Sequence, residues 1–200
     1  MTVQIVTDSG ADIPNQLAND LGIIVVPLTV SFGDKSYKDG IELSADDFYQ
    51  RLINSETMPT TSQPSVGSFV DTYKEILASS KQILSIHLSS KLSGTLNSAT
   101  QAGLQENLGE SIQLIDSMQA SMGLGFSVIA AAEAAKNGAS LAEASSIARS
   151  VLGRTRTYIL FDTLEYLVKG GRIGRASALL GSVLQIKPIL TLEDGEIATK

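Results

Sequence analysis

Residues 3–10 read Val-Gln-Ile-Val-Thr-Asp-Ser-Gly, an apolar run that breaks into a polar turn. Val3–Thr7 suits a short strand and Asp8-Ser9-Gly10 its end. The residues that follow decide how the strand is used. Pro14 fits a first helical position, and Leu17, Ala18 and Leu21 then recur at helical spacing. Gly22 closes that helix, and Ile23–Val26 is a second, continuous apolar run of the kind buried on both faces. A strand, a helix and a doubly buried strand make a parallel unit, so the sequence predicts an α/β fold with a parallel sheet.

The alternation continues outward. A helix carrying Phe69, Val70, Tyr73, Ile76 and Leu77 precedes a strand over Gln82–Leu88. Ser89–Thr95 is a turn, Thr95–Leu108 a helix and Ser111–Ile115 a strand that ends at Asp116-Ser117. An Ala-rich helix follows over Gln119–Lys136, and Ser140 with Glu143 forms a capping box ahead of a helix to Val151. One piece departs from the pattern. Leu28–Phe32 and Ser36–Tyr37 flank Gly33-Asp34-Lys35 as a hairpin, and Ser44 with Asp47 starts a helix to about Asn54. Residues 28–43 are therefore expected as a small β insertion. Ser55–Ser65 has no periodicity and two prolines, which predicts an ordered loop or a linker.

Past residue 153 a second unit begins. A strand is expected over Thr155–Phe161, then a helix capped by Asp162 and running through Lys169, stopped by Gly170-Gly171. Helix resumes over Ala176–Leu184, followed by a strand over Ile186–Leu192, a turn at Glu193-Asp194-Gly195 and a returning strand from Glu196. The expected organisation is an N-terminal α/β domain over 1–153 and the start of a second α/β domain over 154–200, cut short in mid-hairpin.

Composition removes several functions. The chain has 200 residues, 43% of them apolar, which supports a real core; charged residues are 18%, below the usual quarter. Net charge is −6, and Lys and Arg are scattered, so there is no basic stripe for nucleic acid. The absence of Cys excludes disulfides, thiolate nucleophiles and Cys-based zinc sites. The sole histidine, His87, lies in an apolar strand and suits a structural, hydrogen-bonded role better than a Ser-His-acid triad or a transition-metal site. Met1–Gln4 opens no signal peptide, and no apolar run reaches a membrane span, so the expected location is cytoplasmic.

The chemistry on offer is that of hydroxyls and backbone N–H groups. Three strands end in polar clusters, at Thr7-Asp8-Ser9, at Ser89–Thr95 and at Asp116-Ser117. In an open parallel sheet those ends share one edge, where ligands bind. Ser93-Gly94-Thr95 sits where a strand-end loop becomes a helix, whose free N–H groups and partial positive charge favour a carboxylate or phosphate. Thr60-Thr61-Ser62-Gln63-Pro64-Ser65 is a second hydroxyl cluster, with Ser65 placed as a helix N-cap. Lys169-Gly170-Gly171-Arg172-Ile173-Gly174 adds a guanidinium suited to oxyanions, although a helix C-cap followed by a surface Arg explains it as well. Capping explains Asp8 and Asp116 at least as well as ligand binding does. A carboxylate Mg²⁺ site on those two residues, acting on a small phosphorylated substrate, stands as an alternative.

Taken together and in order, these segments resemble the DegV family. The resemblance rests on Thr7-Asp8-Ser9, Thr61-Ser62-Gln63-Pro64-Ser65, Leu92-Ser93-Gly94-Thr95 with Ser98-Ala99, Leu164-Glu165-Tyr166-Leu167 running into Gly170-Gly171-Arg172-Ile173, and Lys187-Pro188-Ile189. It implies the two-domain EDD fold of bacterial fatty-acid-binding proteins, with a long acyl chain buried between the domains. It implies a carboxylate held by Thr61 or Ser62 and by Ser93, with Gly94 and Thr95 adjacent, and Arg172 near the head group. Asp8, Ser9, Asp116 and Ser117 are left as supporting residues. The partners implied are a long-chain fatty acid and a separate ATP-binding fatty acid kinase subunit that makes an acyl phosphate, with transient membrane contact. The chain itself is then a carrier rather than an enzyme, without cofactor or metal; a lipid-responsive regulatory module is the other non-enzymatic reading. The family usually continues well beyond residue 200.

Overall fold

The computed structural model describes residues 3–55, 57–79, 82–179 and 187–200. Its central sheet has four strands: β1 (Val3–Asp8), β2 (Ile24–Val26), β6 (Gln82–His87) and β7 (Ile112–Asp116). They lie in the order β2-β1-β6-β7 and every pairing is parallel. The first connection is α1 (Asn15–Leu21), closed by Gly22 in the left-handed conformation at φ 65°, where a residue without Cβ is the cheapest choice.

Helices cover both faces, as parallel strands require. On one face Val3, Ile5, Leu84, Ile86 and Ile115 pack against α5 (Met122–Lys136) and α6 (Leu141–Arg154), through Ala131, Ala132, Ala135, Ala144 and Ala148. On the other, Val6, Val26 and Ile83 meet Phe69, Tyr73 and Ile76 of α3 (Val66–Ala78) and Ala99 and Ala102 of α4 (Thr95–Gln105). The strands therefore carry apolar residues on both faces, and β2 is apolar throughout. Side chains start α3 and α6: Ser65 accepts from Ser68 N–H, and Ser140 forms the full capping box with Glu143.

The insertion is a second sheet. The hairpin β3 (Thr29–Phe32) and β4 (Lys35–Lys38) is antiparallel, and α2 (Ala45–Asn54) follows, with Ser44 accepting from Asp47 N–H. The segment expected as a loop or linker contains β5 (Thr60–Ser62), which adds to the free edge of β3 with Thr61 opposite Val30. Its three hydroxyl residues are all exposed, so no apolar alternation announces it; the pairing comes from its partner.

A third, antiparallel sheet has the order β10-β9-β8, formed by β8 (Tyr158–Leu160), β9 (Ile189–Glu193) and β10 (Glu196–Thr199). Leu190, Leu192 and Ile197 pack on Ala176. Between β8 and β9 lies α7 (Glu165–Lys169). Asp162 does not cap it. Thr163 Oγ1 accepts from Glu165 N–H at 3.1 Å, and Asp162 pairs with Lys187 at 2.6 Å. Gly174–Leu179 is a 3₁₀ stretch rather than an α-helix. The remainder of the expected helix, Leu180–Leu184, and Ile186 lie outside the described residues. Among the described residues no helix is long and apolar enough to cross a membrane.

Candidate functional site

β1, β6 and β7 all deliver their C-terminal ends to one edge of the central sheet. After β6 the chain makes a tight loop: Leu92 N–H and Ser93 N–H both donate to the Ser89 carbonyl, at 2.9 and 3.1 Å. Ser93 Oγ then stands 2.9 Å from Thr95 Oγ1 and accepts from Thr95 N–H at 3.3 Å, at the first residue of α4. Gly94 has φ −76°, so its role is spatial rather than conformational. A Cβ there would stand 2.9 Å from Gln63 Nε2. The Gln63 side chain thus lies directly on Gly94, and the two hydroxyl segments of the sequence are joined.

Arg172 ties in the third segment. It donates from Nε to the Leu92 carbonyl at 3.1 Å and from Nη1 to the Gly170 carbonyl. The three segments enclose a cleft of about 940 Å³ lined by Thr61, Ser62, Gln63, Ser93, Lys169 and Arg172 on its polar side and by Leu28, Phe48, Leu52, Met58, Leu88, Leu92 and Leu167 on its apolar side. The volume is at the upper end of ligand pockets. Lys169, exposed at the margin, is held charged above its ordinary range by its hydrogen bond with Glu165. An anionic head group among hydroxyls with an apolar body against the leucines is the ligand this lining suits.

Of the expected site residues, Thr61, Ser62, Ser93 and Arg172 line one cleft. Gly94 and Thr95 stand behind Ser93; Thr95 is fully buried. The register separates the two β5 candidates. Thr61 is opposite the buried Val30, and Ser62 is opposite Thr29, so the two side chains leave opposite faces of the sheet. Phe32, on the Val30 face, meets Phe48 of α2 at 5.8 Å, which puts Thr61 on the side of the apolar cleft wall.

The supporting residues lie outside the larger cleft. Asp8 and Ser9 line a neighbouring cleft of about 590 Å³, which shares Tyr49 with the larger one. Ser9 Oγ accepts from Leu28 N–H at 3.0 Å. Asp116 Oδ1 accepts from Ser90 and Met118 N–H, and Ser117 Oγ accepts from Gln119 N–H. Neither Asp116 nor Ser117 lines the larger cleft. Among the described residues no group of three or more His, Asp or Glu is placed to hold a metal ion.

Two features escaped sequence reasoning. The apolar wall is gathered from several distant segments, and its α2 members, Phe48 and Leu52, sit on a helix with no buried residue. The partners of His87 were equally hidden. Its Nδ1 lies 2.8 Å from Asp8 Oδ2, 79 residues away, and its Nε2 lies 2.7 Å from Ser85 Oγ. This is the order of atoms in a hydrolase triad. Here Ser85 is wholly buried in the middle of β6, and its Oγ continues to Tyr73 Oη at 2.9 Å. No substrate reaches it. Burial drives the Tyr73 phenol well above its ordinary range, so it stays protonated. His87 is the structural histidine its apolar strand predicted.

Known proteins share this architecture. A family model described as "Uncharacterised protein, DegV family" matches residues 2–200. A DegV domain-containing protein of Caldanaerobacter subterraneus subsp. tengcongensis is 42% identical over 195 residues, 98% of this chain and 69% of the relative. Among solved structures, a fatty-acid-binding DegV family protein from Thermus thermophilus has a TM-score of 0.91 at 38% identity, over 100% of this chain and 71% of its own. DegV, a fatty acid binding protein from Bacillus subtilis, has a TM-score of 0.87 at 36% identity, over 100% of this chain and 71% of its own. A stearic acid-binding protein from Eubacterium ventriosum has a TM-score of 0.90 at 28% identity, covering 99% and 69%. Matched by the family model over residues 2–200 and 42% identical to a relative over 98% of its own length, the chain belongs to the DegV family.

Proposed function

We propose that this protein binds a long-chain fatty acid in the larger cleft and presents its carboxylate to a separate ATP-binding kinase subunit. The observation that carries the reading is the cleft of about 940 Å³ in which Thr61, Ser62, Ser93 and Arg172 meet beside an apolar wall. Thr61 and Ser93 donate hydroxyl hydrogen bonds to the carboxylate, and the start of α4 adds its partial positive charge. The Arg172 guanidinium, turned toward two backbone carbonyls, contributes charge at the margin without a close ion pair. A carboxylate held by neutral donors keeps its nucleophilicity. One of its oxygens attacks the γ-phosphorus of ATP on the partner, ADP leaves, and an acyl phosphate forms. The acyl chain dominates affinity, at roughly 0.8 kcal/mol per buried CH₂.

On this reading the protein is a cytoplasmic carrier and not itself an enzyme, and residues 154–200 begin the second of two domains. Ile41 and Tyr49, exposed at the rim of the clefts, and Ile53, exposed on α2, are the apolar groups available for brief membrane contact when lipid is exchanged.

Mass spectrometry of lipid extracted from the purified protein tests the binding. A stoichiometric long-chain fatty acid is expected, and well-folded protein that neither carries nor takes up one overturns the reading. The carrier role is tested by adding ATP and a fatty acid kinase subunit and following acyl phosphate. A lipid-loaded protein that supports no acyl phosphate is a regulatory module instead.

A further inference from the structure

The buried chain Asp8–His87–Ser85–Tyr73 is fixed in direction at its Asp8 end. A carboxylate only accepts, so the 2.8 Å contact between Asp8 Oδ2 and His87 Nδ1 places a proton on Nδ1. In the neutral imidazole Nε2 then accepts, and its 2.7 Å partner, the Ser85 hydroxyl, donates to it. Ser85 Oγ in turn accepts from the Tyr73 phenol at 2.9 Å. In that form each hydroxyl donates once, and the chain ends on Asp8. All four residues are wholly buried, where an unmade hydrogen bond is expensive.

Asp8 does more than close this chain. The same Oδ2 accepts from Leu88 N–H at 3.1 Å, and Oδ1 accepts from Gly10 N–H at 3.0 Å. Leu88 lines the larger cleft, and the next residue, Ser89, supplies the carbonyl that holds Leu92 and Ser93. One carboxylate therefore fixes where the β6 loop leaves the sheet, five residues before Ser93.

We propose that Asp8 and His87 are positioning residues for the Ser93 loop, with His87 holding its Nδ1–H on Asp8, while the Ser85–Tyr73 end of the chain satisfies the other ring nitrogen and does not bear on the loop. The proposal rests on the fatty acid reading for its effect on binding. Its structural part stands without it.

The experiment has two arms. Because His87 is the sole histidine, ¹⁵N labelling gives imidazole signals from this residue alone. A protonated Nδ1 is expected; an Nε2–H tautomer, or two averaging tautomers, overturns the hold on Asp8. The second arm measures palmitate affinity and amide exchange over Leu88–Thr95, at temperatures where circular dichroism shows each variant folded. Asp8→Asn removes an acceptor for at least one of three N–H donors, and should weaken palmitate binding roughly tenfold or more while speeding exchange in the loop. Tyr73→Phe cuts the far end of the chain and should lower the melting temperature with affinity held within about twofold. Affinity that follows melting temperature equally in both variants means a merely structural role and overturns positioning. If Asp8→Asn does not fold, the pair His87→Asn and His87→Ala decides. The Asn amide can still donate to Asp8, so its affinity should exceed that of the Ala variant, and equal affinities overturn the proposal. Wild-type protein that binds no palmitate sinks the proposed function alone, because the tautomer and the exchange of Leu88–Thr95 are read without ligand.

Discussion

Arg172 donates from Nε to the carbonyl oxygen of Leu92 at 3.1 Å, joining two segments 80 residues apart. A second bond, from Nη1 to the Gly170 carbonyl, fixes the guanidinium plane. The arrangement uses the fork of arginine, so lysine is not an equivalent replacement. Arg172→Lys keeps the charge and loses this bracing, and Arg172→Ala loses both. Both should weaken fatty acid binding, Ala more than Lys, by about 1 kcal/mol or roughly fivefold in Kd for Ala, since the side chain is exposed. Titration with a fluorescent long-chain fatty acid measures it. Equal binding by all three proteins would show that the bracing does not matter to the cleft.

The hydroxyls are separable by register. Thr61 shares the face of Val30, and Ser62 the opposite one, although both reach the rim of the cleft. Thr61→Ala and Ser93→Ala should each lower affinity by about 1.5 kcal/mol, roughly tenfold, and Ser62→Ala by less than half of that. Ser93 also accepts from Thr95 N–H, a capping contact, so Ser93→Ala should lose some stability without unfolding. Displacement titrations beside thermal melts distinguish the two effects. An unfolded Ser93→Ala protein would assign that hydroxyl to capping.

Much of this was legible in residue order. Val3–Thr7, Gly22 and Ile23–Val26 define the parallel unit, because doubly buried strands and a glycine helix stop leave local marks. Ser65 and Ser140 cap the helices they precede, because a cap depends on residues three apart. β5 was not legible, since an exposed edge strand of three hydroxyl residues has no apolar period. Nor was the Asp8–His87 pair, which arises only where β1 and β6 lie side by side. The site shows the same split. Hydroxyls at strand ends were visible singly, and what brings them together is Gln63 lying on Gly94, a contact between segments that are distant in sequence.

That contact makes Gly94 sensitive to size alone. A methyl at Gly94 meets Gln63 Nε2 at 2.9 Å and Cδ at 3.1 Å, the far end of a flexible side chain. Gly94→Ala should therefore fold, push Gln63 aside and weaken fatty acid binding by about 1 kcal/mol through displacement of β5. Adding Gln63→Ala should restore part of the loss. A double-mutant cycle without coupling would show that the contact carries no energy.

The capping box of α6 gives a prediction in pH. Both the backbone N–H and the hydroxyl of Ser140 donate to the Glu143 carboxylate at 2.8 Å, and these bonds hold its pKa below the ordinary glutamate value. A carboxylate with a lowered folded pKa binds fewer protons folded than unfolded in that window. Its contribution is fully present above the ordinary value, about 4.3, and fades as pH falls through the lower, folded value. Glu143→Gln keeps a side-chain acceptor and loses the charge, so its deficit in melting temperature should be visible at neutral pH and shrink in acid. Ser140→Ala also removes the hydroxyl that caps Glu143 N–H, a loss of about 1 kcal/mol, or roughly 2–4 °C for a chain of this size. That part should persist in acid, because the hydroxyl does not titrate. Thermal melts of the three proteins from neutral pH into acid test both statements, and a Glu143→Gln deficit that stays constant with pH would remove the carboxylate from the account.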